Sequence, residues 1–229
     1  MIPKIIHYCW FGRKTKPVEV EYYISTWRKY CPDYIIKEWN ELNFDIHVNK
    51  YVEEAYRNKK WAFVSDVARL WALVHEGGIY MDTDVEVVRN LDELLDQKAF
   101  LGFEGTQWVG TNIIGTEKNN EFFFDFLDSY NQRTFVGQDG KLELTTNVVE
   151  ITKRLINKGL KRDGNLQIIN GLTIYPPDHF SPYDYINGEM KKTPNTYTIH
   201  WFAKSWIKQN KFVQKLLMFY HRVFGIKMK

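Results

Sequence analysis

With 229 residues, 44% of them hydrophobic and 26% charged, the chain can bury one substantial core, and the absence of internal repeats or biased tracts excludes a solenoid or low-complexity protein. Two cysteines, Cys9 and Cys31, are too few for a disulfide framework and point to a reducing compartment. The formal net charge of +3 hides an asymmetry: residues 190–229 carry nine Lys/Arg and no acid, leaving 22 basic against 28 acidic side chains in residues 1–189. No nucleic-acid motif accompanies that basic tail, so no nucleic-acid partner is expected.

In chain order, residues 4–10 alternate, with Ile5, His7 and Cys9 on one side and Ile6, Tyr8 and Trp10 on the other. This predicts a first strand, stopped by Phe11-Gly12. A chain opening on a strand that ends at Trp10 starts as nucleotide-binding α/β folds do. Residues 18–30 read as a helix, broken by Cys31-Pro32-Asp33, and residues 34–39 (YIIKEW) as a second strand. Asn40 at its end either meets a nucleotide or simply turns the chain. Residues 51–60 read as a charged helix leading into the central block.

That block, WAFVSDVARLWALVHEGGIYMDTDVEVV over residues 61–88, organises the chain. Phe63, Val67, Leu70, Trp71 and Val74 fall on one apolar helical stripe. Gly77-Gly78 supplies the stop, since glycine takes the left-handed conformation of a C-terminal cap. Ile79-Tyr80-Met81 is a short buried strand delivering Asp82-Thr83-Asp84, and period-two alternation puts both carboxylates on one side. Two carboxylates converging there repel each other unless a cation lies between them, and Mg²⁺ and Mn²⁺ prefer such oxygen ligands. Taken by spacing alone, Asp-x-Asp is also an ordinary solvated strand end. Asp66 and Arg69, at i and i+3, then read as a surface ion pair worth about 0.3–0.5 kcal/mol.

Beyond the block, residues 91–95 form a helical turn, and residues 100–104 and 109–115 read as strands. Thr111 and Asn112 stand where a sugar hydroxyl could be hydrogen-bonded, although a β-edge explains them equally well. Residues 120–131 and 145–158 are amphipathic helices, and residues 168–178 a strand ending in Pro176-Pro177. Residues 180–196, rich in Pro, Gly, Asn and Tyr, read as a loop, of a size often found as a lid. Residues 197–201 are a short strand carrying His200, and Ser205-Trp206 follows. A lone His beside Trp is, by itself, most simply a structural histidine.

Three separated pieces, IPKIIHYCWFG, SDVARLWALVHEGGIYMDTDVEVV and HWFAKSW, carry a resemblance. In order and spacing they resemble the DxD-containing sugar-transfer region of glycosyltransferase family 32, which includes capsule and O-antigen transferases and fungal mannosyltransferases; the glucosylating clostridial toxins carry a similar core. The resemblance implies a GT-A-like α/β fold, a mixed, mostly parallel sheet flanked by helices, in a single domain over residues 1–206. It implies a hexosyltransferase that uses Mn²⁺ or Mg²⁺, a nucleotide-sugar donor of the UDP-sugar class, and an oligosaccharide or lipid-linked acceptor, as in capsular polysaccharide synthesis. Transfer with retention is implied too. By the same resemblance Asp84 and Asp82 hold the metal, with His200 or Ser205 completing its shell, and Asp66 and Arg69 bind the donor sugar. Trp10 is the candidate to stack on the uracil, Trp206 caps the donor, and Asn40 is the remaining nucleotide candidate. The competing readings are a DxD phosphohydrolase and a non-catalytic nucleotide- or carbohydrate-binding module.

Residues 207–229 are expected to be a basic amphipathic helix. Lys208, Lys211, Lys215 and Arg222 lie on one face and Phe212, Leu216, Phe219 and Val223 opposite, a pattern that suits either an anionic membrane surface or packing on the domain. With no secretory signal and no run of about 18 apolar residues, a cytoplasmic protein, peripheral on the inner face of the membrane, is the expectation.

Overall fold

Residue alternation in the opening strand divides the core in two. In β1 (Ile5–Cys9), Ile6 and Tyr8 face one helical layer while Cys9 faces the other. The computed structural model describes residues 1–203. After β1 come α1 (Val18–Tyr30), β2 (Ile35–Trp39), α2 (Lys50–Arg57), α3 (Trp61–Glu76), β3 (Gly78–Met81), β4 (Val85–Val87), β5 (Ala99–Glu104), β6 (Trp108–Val109) and β7 (Ile113–Thr116). Then follow α4 (Glu121–Asp128), α5 (Asn147–Ile156), β8 (Gln167–Ile169), β9 (Leu172–Tyr175), α6 (Pro177–Phe180), β10 (Tyr183–Asp184), β11 (Glu189–Met190) and β12 (Thr198–His200).

The central sheet runs β2-β1-β3-β7-β5-β9-β8, with β6 paired to β5 outside that row. β1 pairs in parallel with β2 and β3, and β5 with β9, whereas β7 and β8 run against their neighbours. The sheet is therefore mixed, with most strands pointing one way, as expected from the sequence. On one face Ile24 and Trp27 of α1 pack on Ile6, Ile79, Phe100 and Ile113. On the other, α2, α3, α4 and α5 bury Val52, Val67, Leu70, Phe123 and Ile151 against Tyr80, Leu101 and Ile114. Alternation between the two faces is the physical reason that these short strands read as they do.

Helix α3 stops where the two glycines stand. Gly77 and Gly78 adopt φ of 68° and 97°, and the Gly77 amide caps the Leu73 carbonyl at 2.9 Å. Because α3 runs back between parallel strands, its first half lies beside the carboxyl ends of β1, β3 and β5. That edge receives Trp10, Asp82 and Glu104.

Three expectations need correction. The strand expected over residues 109–115 is interrupted at Gly110, Thr111 and Asn112, whose backbone bonds elsewhere: the Gly110 amide to Gly102, the Thr111 carbonyl to Arg69, the Asn112 carbonyl to Asp82. The single strand expected over residues 168–178 is instead the β8–β9 hairpin followed by α6. Its two turn residues, Asn170 and Gly171, have φ of 50° and 83°, the left-handed pair that a two-residue hairpin turn requires. The expected loop at residues 180–196 contains the small β10–β11 hairpin. Residues 207–229 lie outside the described residues. Among the described residues no helix is long and apolar enough to cross a membrane.

Candidate active site

Asp66 and Arg69 sit about one turn apart near the middle of α3, and both are buried, at 7% and 6% exposure. The surface ion pair suggested by their spacing is thus a buried network. An Arg69 Nη2 contact reaches Asp66 Oδ1 at 3.1 Å and Asp82 Oδ1 at 3.3 Å. Nη1 donates to the Thr111 carbonyl at 2.8 Å, and the guanidinium lies 4.5 Å from the Tyr80 ring centroid. Asp66 is also gripped from α5. The Asn147 amide, at the helix start, donates to Asp66 Oδ2 at 3.3 Å, and Asn147 Nδ2 donates to the Asp66 carbonyl at 2.8 Å. Tyr130 in turn donates to Asn147 Oδ1. Burial pushes the Asp66 carboxyl up to about 6 against the pull of Arg69, and the nearby Asp82 pushes the same way.

The two aspartates of the DxD converge by a turn rather than by strand alternation. Strand β3 ends at Met81, and the Val85 amide closes back on the Asp82 carbonyl at 3.1 Å before β4 begins. Tyr80 donates to Asp82 Oδ1 at 2.8 Å, so Asp82 is held by Tyr80 and Arg69 together. Asp84 Oδ2 accepts from the Ala203 amide at 2.8 Å. Strand β12 pairs antiparallel with β4, with His200 opposite Val85. The ladder thereby carries a histidine from 116 residues downstream to Asp84: its Nε2 stands 3.4 Å from Asp84 Oδ1.

One ligand atom each from Asp82, Asp84 and His200 lies within 4.8 Å of the others. Trans ligands of an octahedral ion stand about 4.2 Å apart, so the three residues fit a divalent cation with little adjustment. The electrostatics agree. Burial and the facing Asp84 push the Asp82 carboxyl up, although Arg69 opposes them. Burial would raise Asp84 as well, but His200 and the Ala203 amide outweigh it and hold it low. Burial alone would lower His200, yet Asp84 and Glu104 lift it to about 10. In this arrangement the imidazolium supplies positive charge among carboxylates, a place that a metal ion and a neutral ligating imidazole would take over.

The remaining candidates divide. Trp10, at the end of β1, is partly buried, packs at the margin of the α1-side core, and donates Nε1–H to the Lys14 carbonyl at 2.6 Å. Asn40 spends its side chain on the turn after β2: Oδ1 accepts from the Leu42 amide and Nδ2 donates to Glu38 Oε1. Thr111 and Asn112 are buried beside the network, and Asn112 Nδ2 has no hydrogen-bond partner among the described residues. Ser205 and Trp206 lie outside the described residues. Cys9 packs near the site, but burial pushes its thiol up to about 12, which makes it a poor nucleophile. Sequence reasoning missed Glu104 and Asn147. The signal for Glu104 was an apolar strand, AFLGF, ending in a lone acid at the same sheet edge as the DxD.

Fold and site together give an α/β sheet with a DxD turn and the Asp82–Asp84–His200 group at its carboxyl edge. Residues 17–101 match the glycosyltransferase sugar-binding region containing the DXD motif. The family resemblance read from the sequence stands, over a segment that holds Asn40, Asp66, Arg69, Asp82 and Asp84 but not Trp10, Glu104 or His200. The chain is 28% identical over 137 residues to the mannosyl phosphorylinositol ceramide synthase CSH1 of Saccharomyces cerevisiae, covering 56% of this chain and 35% of that one. It is 28% identical over 160 residues to the human lactosylceramide 4-alpha-galactosyltransferase, covering 62% and 42%. The chain thus spans less than half the length of these relatives. In structure it is similar to the PaToxG glycosyltransferase, with a TM-score of 0.53 and 23% identity over 69% of this chain and 70% of that one, which supports the GT-A-like fold.

Proposed function

We propose that the chain is a metal-dependent hexosyltransferase. It takes the sugar from a nucleoside diphosphate sugar, of the UDP-sugar class, and places it on a glycolipid or oligosaccharide acceptor with retention of configuration. The convergence of Asp82, Asp84 and His200 beside the buried Asp66–Arg69 pair is the observation that carries this reading. Asp82, Asp84 and His200 would hold a divalent ion, which would supply positive charge against the departing diphosphate, and this oxygen-rich donor set suits Mn²⁺ or Mg²⁺. Asp66 accepts from donor-sugar hydroxyls. Arg69, braced by Thr111 and Tyr80, fixes Asp66 and Asp82 and reaches toward the sugar and diphosphate. Trp10 stacks on the base. The acceptor hydroxyl attacks the anomeric carbon from the leaving-group side, and its proton passes to the departing phosphate oxygen. The ceramide lipids in the names of the two relatives above favour a lipid-linked acceptor. The basic residues 207–229, outside the described residues, are then the part that meets an anionic membrane at its inner face.

A DxD phosphohydrolase has less support, because the motif follows the third strand of the chain and not the first. The test is release of nucleoside diphosphate from a panel of nucleotide sugars in Mn²⁺. Turnover of at least one donor, abolished by EDTA and restored by Mn²⁺, is expected. Nucleotide binding without release from any donor would favour the binding module. Chelator-resistant release of inorganic phosphate would favour the hydrolase.

A further inference from the structure

Of the three candidate metal ligands, His200 is the one whose ring must be turned correctly to serve. Its Nε2 faces Asp84, and its Nδ1 faces away from the DxD toward Glu104 Oε1 at 3.3 Å. The ring lies against Phe202, with centroids 3.9 Å apart. Nδ1 is buried, and among the described residues no better acceptor is offered to it; the Glu104 contact is an ion-pair approach, off the line of a full hydrogen bond.

Glu104 is itself deliberately placed. It ends β5 at the site edge, and its side chain folds over Gly110: a Cβ at that glycine would stand 2.7 Å from Glu104 Cγ and 2.8 Å from Oε1. The bare Cα of Gly110 leaves the room in which the carboxylate reaches His200. Glu104 does not join the group of Asp82, Asp84 and His200 whose ligand atoms lie within 4.8 Å, so it stands behind the histidine and not beside the ion position. A metal-binding histidine almost always donates its second ring N–H to a carboxylate or carbonyl, which fixes both tautomer and ring orientation.

We propose that Glu104 is a positioning residue for the metal centre: it holds the proton on His200 Nδ1 and so presents Nε2 as the ligand. This rests on the metal reading of the site given above. The test is Mn²⁺ titration of the full chain, without substrate, followed by the electron paramagnetic resonance of free Mn²⁺. Glu104→Ala should raise the Mn²⁺ dissociation constant about 10- to 100-fold, the usual cost of losing such an outer partner. Glu104→Gln, which keeps an oxygen acceptor, should lose less. Added to His200→Ala, the Glu104→Ala change should cost no more than about twofold, because its route through the ring is already gone. Should Glu104→Ala fail to fold, the near-isosteric Glu104→Gln carries the same comparison in both backgrounds. Wild-type affinity in the Glu104 variants overturns the proposal, and so does a full, multiplicative loss in the His200→Ala background. No Mn²⁺ binding by the wild-type chain overturns the metal reading itself, and the proposal with it.

Discussion

Asp84→Asn should lower metal-dependent sugar transfer by about 10²- to 10³-fold or more while leaving the melting temperature near that of the wild type. Charge stabilisation by a metal at a departing group is worth several kcal/mol, and each 1.36 kcal/mol is a factor of ten in rate. Asp84 makes two contacts that a neutral amide weakens: the ion position it shares with Asp82, and the facing His200. Its Oδ2 also accepts the Ala203 amide, a bond that the Asn oxygen can keep, so the local backbone should hold. Steady-state release of nucleoside diphosphate across a Mn²⁺ series is the measurement. A variant within a few-fold of wild type, indifferent to EDTA, would remove the metal from the mechanism.

Arg69→Leu should do something different: it should unfold the protein more readily. The leucine fills part of the space, but Asp66 loses the countercharge that sits 3.1 Å from it, and Asp82 loses one at 3.3 Å. Removing one partner of a buried pair costs about 3–5 kcal/mol, because the orphaned charge stays buried. For a domain of this size that corresponds to a fall of about 6–20 °C in melting temperature. Differential scanning calorimetry reads it. Asp66→Asn combined with Arg69→Leu should recover part of the loss, since one of the two stranded charges is then gone. A single-variant fall of a degree or less would mean that Arg69 is satisfied by solvent and that the buried network is not what holds α3 to the DxD turn.

The opening strand, the helix at residues 18–30 and the α3 stop were legible because each is decided locally. Alternation, a Pro break and a Gly-Gly pair leave few alternatives over five to sixteen residues. The DxD and its upstream Asp66 and Arg69 were legible as a pattern but not as a geometry. Whether an i, i+3 ion pair is solvated depends on what covers that helix face. Here the covering groups are Thr111, 42 positions away, and Asn147, 81 positions from Asp66. The same holds for the metal group. Two aspartates flanking a threonine do not announce a turn, and only the β4–β12 ladder brings His200 to them. Glu104 was hidden for a simpler reason: an acid ending an apolar strand is ordinary until a buried imidazole is found facing it. The Asn170-Gly171 turn, by contrast, was a local signal that could have been read, since Asn-Gly between two β-prone runs is a strong hairpin cue.

The proposed chemistry requires that Asp82, Asp84 and His200 together hold one divalent ion at the carboxyl edge of the sheet. It is tested most directly by an anomalous-scattering map, collected near the manganese absorption edge, from crystals of the full chain grown with Mn²⁺ and UDP. One strong peak is expected, bonded to Asp84 and within reach of Asp82 and His200, with the nucleotide diphosphate beside it. A peak bonded elsewhere, or UDP bound at this edge with no metal beside Asp84, would contradict it.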